Sequence, residues 1–100
     1  QVHRSVAEIV LLTSEFSIGN AYPNPFNPQT RIDYHLESSA EIEIFITDIL
    51  GLNIKTIYTG QKASGNHSFS WNASKRSSGI YFANLRVGNQ FISRKLILVK

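Results

Sequence analysis

From Arg31 onward, apolar and polar side chains alternate with a period of two almost throughout, and that period argues for strands. Ile32, Tyr34 and Leu36 alternate with Arg31, Asp33 and His35. Ile42, Ile44 and Ile46 alternate with Glu41, Glu43 and Phe45. Asp48-Ile49-Leu50-Gly51 has Asp first and Gly fourth, the composition of a type I turn closing a hairpin. Residues 54–58 resume as a strand, and 59–65 read as a polar loop. His67, Phe69 and Trp71 then share one face of a strand, with Ser68 and Ser70 on the other. Residues 72–79 form a second polar loop carrying Lys75 and Arg76. Residues 80–87 put Tyr81, Ala83, Leu85 and Val87 on one face, and Gly88-Asn89 is a tight hairpin signal before the last strand, 91–99. Alternation breaks at Arg94-Lys95, where a bulge is expected. No segment has a convincing helical period; residues 6–12 are the only candidate, and they fit an extra strand equally well.

The strongest local signal precedes this pattern, at Tyr22-Pro23-Asn24-Pro25-Phe26-Asn27-Pro28. Closely spaced prolines forbid a helix, and each residue before a proline is pushed toward extended geometry. Asn24 and Asn27 are expected to bond their own following backbone, as turn residues do. Tyr22 and Phe26 are the aromatics expected to anchor the segment in the core. About seven short strands with turn signals roughly every 8–12 residues argue for an all-β, immunoglobulin-like antiparallel β-sandwich. A chain of 100 residues has room for one core, burying roughly 65% of its unfolded surface. Residues 1–19 read as a linker or lead-in strand, and 20–100 as the compact body.

Cysteine is absent, which excludes disulfides, thiolate metal sites and cysteine nucleophiles. Methionine is absent too, so the chain reads as a processed product or a piece of something longer. No signal peptide is visible: Gln1-Val2-His3-Arg4 leads only to a short apolar stretch at 9–12, and no run reaches the ~18 apolar residues of a membrane span. The net charge of +3 hides an asymmetry. Residues 1–50 hold Arg4, Arg31 and all seven acids, a balance of −5; residues 51–100 hold eight basic residues and no acid, a balance of +8. Two readings stand: neutralisation between strands of opposite halves, or a basic face for an anionic partner.

A search for catalytic chemistry returns little. No G-x-S-x-G elbow is present, and none of the three histidines has metal-ligand spacing. His35 faces solvent with Arg31 and Asp33. His67 shares the face of Phe69 and Trp71 and reads as a packed, hydrogen-bonded structural residue. No calcium-type loop joins the acids, and Asp48 has a sufficient role in its turn. A phosphate-binding glycine loop is absent, so no cofactor is expected. Asn66-His67-Ser68 and Asn72-Ala73-Ser74 match the glycosylation sequon at a rate near chance in an Asn- and Ser-rich chain. Arg94, Lys95 and Lys100 stand on or beside the last strand, with Arg86 across the turn. They read as a solvated edge or as a recognition tail, and the aromatic–basic interleaving of nucleic-acid binders is missing.

At this point a family resemblance enters. Tyr22 to Pro28, followed by Thr30, Ile32 and Tyr34, resembles the opening of the C-terminal sorting domains of the bacterial type IX (Por) secretion system. Ile42, Ile44, Ile46, Asp48 and Gly51 are similar to that family's strand and turn. Gly65, His67 and Trp71, then Ser78-Gly79-Ile80-Tyr81-Phe82 with Leu85, follow in order, and Arg94 to Lys100 resembles its basic-apolar ending. The chain departs from the pattern at Thr47, where an aromatic is usual, and at Leu52, where Arg is frequent. Part of the pattern also resembles an immunoglobulin-like domain of flagellar hook-capping proteins, whose role is structural.

The resemblance implies a non-catalytic address at the C-terminus of a larger exported protein, broken from its passenger upstream of Asn20. The passenger would cross the inner membrane on a separate signal and transit the periplasm. An outer-membrane translocon and a surface sortase would then act on the domain, with anionic lipopolysaccharide as a possible acceptor. The residues it implies for partner recognition are Gly79, Ile80 and Tyr81 at one strand start, and Arg94, Lys95 and Lys100 at the tail. Tyr22, Pro23, Asn24, Pro25, Phe26, Asn27, Pro28, Asp48, Gly51 and Trp71 are the structural motif. A final strand at the sheet edge would offer its backbone to a receptor. The rival is a spacer or carbohydrate-associated β-sandwich beside an extracellular hydrolase, whose mark would be a row of exposed aromatics drawn from Phe45, Tyr58, Phe82 and Phe91.

Overall fold

The structure is a computed structural model and describes residues 16–100. Seven strands follow in order: β1 Phe16–Tyr22, β2 Gln29–Leu36, β3 Ala40–Asp48, β4 Asn53–Lys62, β5 Gly65–Asn72, β6 Gly79–Val87 and β7 Gln90–Leu98. They form two antiparallel sheets, one ordered β1-β2-β5 and the other β4-β3-β6-β7. The result is the expected immunoglobulin-like sandwich. The helical candidate at 6–12, the apolar stretch at 9–12 and His3 lie outside the described residues.

Alternation did the sorting. Ile32, Tyr34 and Leu36 of β2, Phe69 and Trp71 of β5, Ile42, Ile44 and Ile46 of β3, and Tyr81, Ala83 and Leu85 of β6 all point between the sheets and join one core cluster. Fully burying such a side chain is worth about 1.5–3 kcal/mol. His67 lies on this inner face as expected, stacked on Tyr34 at 5.2 Å with its Nε2 2.8 Å from the Ala63 carbonyl oxygen.

Several expectations are corrected. Tyr22 does not anchor the core; it is 81% exposed. A register shift between Ile18 and Ala21 turns Ala21 inward against Ile32, so Tyr22, beside Arg31, faces out. Residues 59–62 are not loop but the end of β4, paired with Ala40–Glu43 of β3. β7 has no bulge at Arg94-Lys95: its register against β6 is unbroken, from Gly79↔Leu98 to Val87↔Gln90. The apparent break arises because Arg94 takes an inward position, between Ile92 and Leu96. The irregularities sit instead in the β1–β2 pair and twice in the β3–β4 pair.

The outer face of the larger sheet is partly closed as well. Asn84 is 4% exposed, and its amide nitrogen donates to the Phe45 carbonyl at 3.1 Å, the Thr47 hydroxyl at 3.2 Å and the Phe82 carbonyl at 3.2 Å. Its oxygen accepts from Ser93 Oγ at 2.6 Å. Thr47, where the resembled family carries an aromatic, is thus a partner in a satisfied polar network, which avoids the cost of burying a lone polar group.

Candidate recognition surface at one end of the sandwich

The proline-rich segment and the tail form one unit. Phe26 is 2% exposed and packs on Trp71, ring centroids 5.8 Å apart, and Trp71 meets the Tyr81 ring edge-on at 5.3 Å. This anchor holds the segment against the outer edge of β7. Phe26 donates its amide to the Ile97 carbonyl at 2.9 Å, and its own carbonyl accepts from the Val99 amide at 3.0 Å, a short parallel bridge. Asn24 extends the ladder with its side chain: Nδ2 donates to the Lys95 carbonyl at 3.0 Å, and Oδ1 accepts from the Ile97 amide at 2.9 Å. The expected local turn role of Asn24 is therefore replaced by a long-range one. Thr30 Oγ1 donates to the Pro23 carbonyl at 2.7 Å and ties the segment to β2.

The tail is tied down on its other side by the 73–78 loop. Lys100 Nζ donates to the carbonyls of Ser74 at 2.6 Å and Arg76 at 2.8 Å, and its amide donates to Ser78 Oγ at 3.0 Å. Tyr81 is buried, and its hydroxyl donates to the Ser77 carbonyl at 2.6 Å. The pairing Gly79↔Leu98, Ile80↔Ile97 and Tyr81↔Leu96 sets the strand start beside the tail.

The residues implied for recognition thus divide. Gly79, Ile80, Tyr81, Lys95 and Lys100 gather at one end with Asn24 and Phe26. Lys95 and Ile97 point outward, on the face of Phe82 and Ile80. Tyr81 faces the core. Lys100 is spent on its own loop. Arg94 lies away from the end, on the inner face opposite Ala83. Its Nη2 donates to the Ile18 carbonyl of β1 at 2.9 Å, while its buried Nε has no partner. Arg94 is a clasp between the sheets, not part of an exposed basic face. β7 is an edge strand, yet Asn24 and Phe26 already occupy its edge groups from Lys95 to Val99. Simple addition of a receptor strand along that stretch is blocked.

Asp48 does what its turn composition predicts. Its carbonyl accepts from the Gly51 amide at 3.0 Å, and Oδ1 accepts from the amides of Leu50 at 2.9 Å and Leu52 at 3.0 Å. Gly51 takes φ +86°, a conformation other residues reach only with strain. This turn stands at the same end, since Asp48 pairs with Tyr81, and it exposes Ile49, Leu50 and Leu52.

One ion pair joins the two oppositely charged halves among the described residues, Arg86 to Glu43 across the β3–β6 pair at 3.1 Å. The Arg86 guanidinium also lies 5.1 Å from the Phe45 ring centre and 5.8 Å from that of Phe91. Of the aromatics named for a carbohydrate face, Phe45 is buried and Tyr58 and Phe82 are half-buried; Phe91 alone is exposed, so they form no platform. No group of three or more metal-ligating side chains occurs among the described residues, and no helix there is long and apolar enough to cross a membrane.

The family model for the secretion system C-terminal sorting domain matches residues 20–100. The chain belongs to that family. The sorting domain is a signal for type IX secretion, which carries proteins through the periplasm to the cell surface or medium. Among solved structures it is similar to PorZ, an essential bacterial surface component of the type IX secretion system of Porphyromonas gingivalis. That likeness has 20% identity and a TM-score of 0.54, over 88% of this chain and 12% of that one. It is also similar to the alkylpurine DNA glycosylase AlkC of Pseudomonas fluorescens, at 11% identity and a TM-score of 0.51, over 92% of this chain and 32% of that one. At such identities both show the fold alone. No curated protein matches.

The sequence gives no sign of Asn24 as a clamp, Asn84 as a buried hub, or Ser74, Arg76 and Ser78 as acceptors for Lys100. Only Arg94, the inward clasp, leaves a signal, the interruption of alternation, which has the pattern of a bulge.

Proposed function

We propose that this domain works without catalysis, as a folded address whose recognised element is the end where the Pro23–Phe26 backbone, the start of β6 and the tail meet. The passenger would lie on the N-terminal side, and the translocon and surface sortase of the export route are the partners proposed, with anionic lipopolysaccharide as a further one. The observation that carries the reading is the ladder from Asn24 and Phe26 to Lys95, Ile97 and Val99. It fixes the tail in one conformation and leaves the Lys95 and Ile97 side chains outward, so a receptor would read side chains on a preformed surface rather than recruit a free strand.

The test is a fusion of this chain to a reporter in a host competent for type IX secretion. Deleting the last five residues is a poor probe, because Leu96 and Leu98 are core residues and their loss unfolds the domain. Lys95→Glu and Ile97→Asp leave the inner face intact. Each is expected to lower surface delivery at least tenfold while the reporter accumulates folded in the periplasm. Delivery equal to wild type in both variants would refute a recognition role for this face.

A further inference from the structure

A second feature at this end is a cleft of about 350 Å³ between the start of β4 and the loop that follows β5. Lys55, Lys75 and Arg76 line it, and no acid does. None of these three cations has a carboxylate partner among the described residues. Asn72 and Ser74 add neutral donors: the Asn72 oxygen is used by the Ser74 amide at 2.9 Å, which leaves the Asn72 NH2 and the Ser74 hydroxyl to a ligand. Ile54 and Trp71 supply an apolar wall.

The loop is held ready. Ala73 donates to the Pro28 carbonyl at 2.8 Å and Arg76 to the Ala73 carbonyl at 3.0 Å. Lys100 draws the Ser74 and Arg76 carbonyls toward itself. Their partial negative charge is thereby answered by an ammonium, and the cations beside them are left without a local counter-charge. The backbone that carries Lys75 and Arg76 is held, so an arriving anion has side chains rather than the loop to order.

We propose that this cleft binds a phosphate or sulfate ester carried on a sugar-sized polar group. Arg76 supplies the planar fork that suits a tetrahedral oxyanion, and Lys55 and Lys75 supply point charges. The cleft is open on one side and extends past the three cations to Ile54 and Trp71, which leaves room for a group beyond the oxyanion itself. The carrier lies against Ile54 and the Trp71 edge.

The experiment is a titration of the ¹⁵N-labelled 100-residue chain with glucose 6-phosphate at constant ionic strength, following amide shifts. Saturable shifts confined to residues 72–78 and the start of β4 are expected. The double variant Lys75→Gln, Arg76→Gln should bind at least tenfold more weakly, and Lys62→Gln, a cation placed over Tyr58 instead, within twofold of wild type. Glucose alone should produce no shift. Inorganic phosphate separates the sources: weaker binding than the ester supports a contribution from the carrier, and equal binding overturns it. Shifts that fail to saturate, or an equal loss in Lys62→Gln, would overturn the site itself. All three side chains are exposed, and a matching thermal midpoint will show that the variants fold.

Discussion

Asn24 pairs with Ile97 as a strand residue would, although the groups it offers belong to its side chain. Oδ1 takes the Ile97 amide at 2.9 Å while Nδ2 gives to the Lys95 carbonyl at 3.0 Å. A carboxamide carries one acceptor and a donor on a single planar group, which is what a peptide unit presents to an edge. Exposed hydrogen bonds of this kind contribute about 0.5–1.5 kcal/mol each. Asn24→Ala is therefore expected to lower unfolding stability by about 1–2 kcal/mol in urea and to speed hydrogen exchange at Ile97. Asn24→Asp keeps the acceptor but sets a carboxylate against the Lys95 carbonyl, and should be no more stable than Asn24→Ala. Unchanged exchange at Ile97 in both would contradict the clamp.

Phe26 is the anchor on which that clamp depends. Its ring lies between the sheets against Trp71, and truncating a buried Phe costs about 3–5 kcal/mol. Phe26→Ala should lose that much stability, with the near-ultraviolet dichroism of Trp71 altered. Phe26→Leu keeps most of the volume and should cost about half as much. Stability that stays within error of wild type in Phe26→Ala would mean that the ring is dispensable.

These two residues show what the sequence could and could not convey. The sandwich was legible because period-two alternation names the inner face directly, as Ile32, Tyr34, Trp71 and Leu85 show. The Asp48 turn was legible because its determinants lie within a few residues. Asn24 was not, because its partners are over seventy residues away and a proline-rich context suggests local bonding. Arg94 is misleading in the sequence: a charged residue at an inward position has the pattern of a bulge until a carbonyl from the other sheet is seen to receive it.

Arg94 accordingly makes its own prediction. The Ile18 carbonyl it serves is buried, and leaving such an acceptor unpaired costs about 1–3 kcal/mol. Arg94→Met preserves the stem and removes the donor. It should destabilise the domain by that amount, with exchange accelerated in β1 more than in β6. Uniform acceleration across both sheets would point to general loosening instead of loss of the clasp.

At the end of β3, the Asp48 carboxylate organises its turn through one oxygen, Oδ1. Asp48→Asn retains an oxygen at that position and should stay within about 0.5 kcal/mol of wild type, whereas Asp48→Ala strands the Leu50 and Leu52 amides and should cost about 1–2 kcal/mol. Urea midpoints of the two variants check this, and equal loss in both would show that charge rather than geometry matters.

Tyr34 gives the fold a dependence on alkaline pH. Burial raises its phenol above the ordinary value of 10.0, and the neighbouring Tyr58 raises it further. The folded state thus favours the protonated phenol. A group whose folded pKa lies above its unfolded one binds more protons in the native state, so its stabilisation is complete below the unfolded value. That stabilisation fades as pH rises from about 10 through the raised folded value. Tyr34→Phe cannot ionise and lacks this component. Urea midpoints of wild type should be flat from about pH 7 to 9 and fall above about pH 10, more steeply than those of Tyr34→Phe. Parallel slopes for the two proteins would show that Tyr34 ionises as freely when folded as when unfolded.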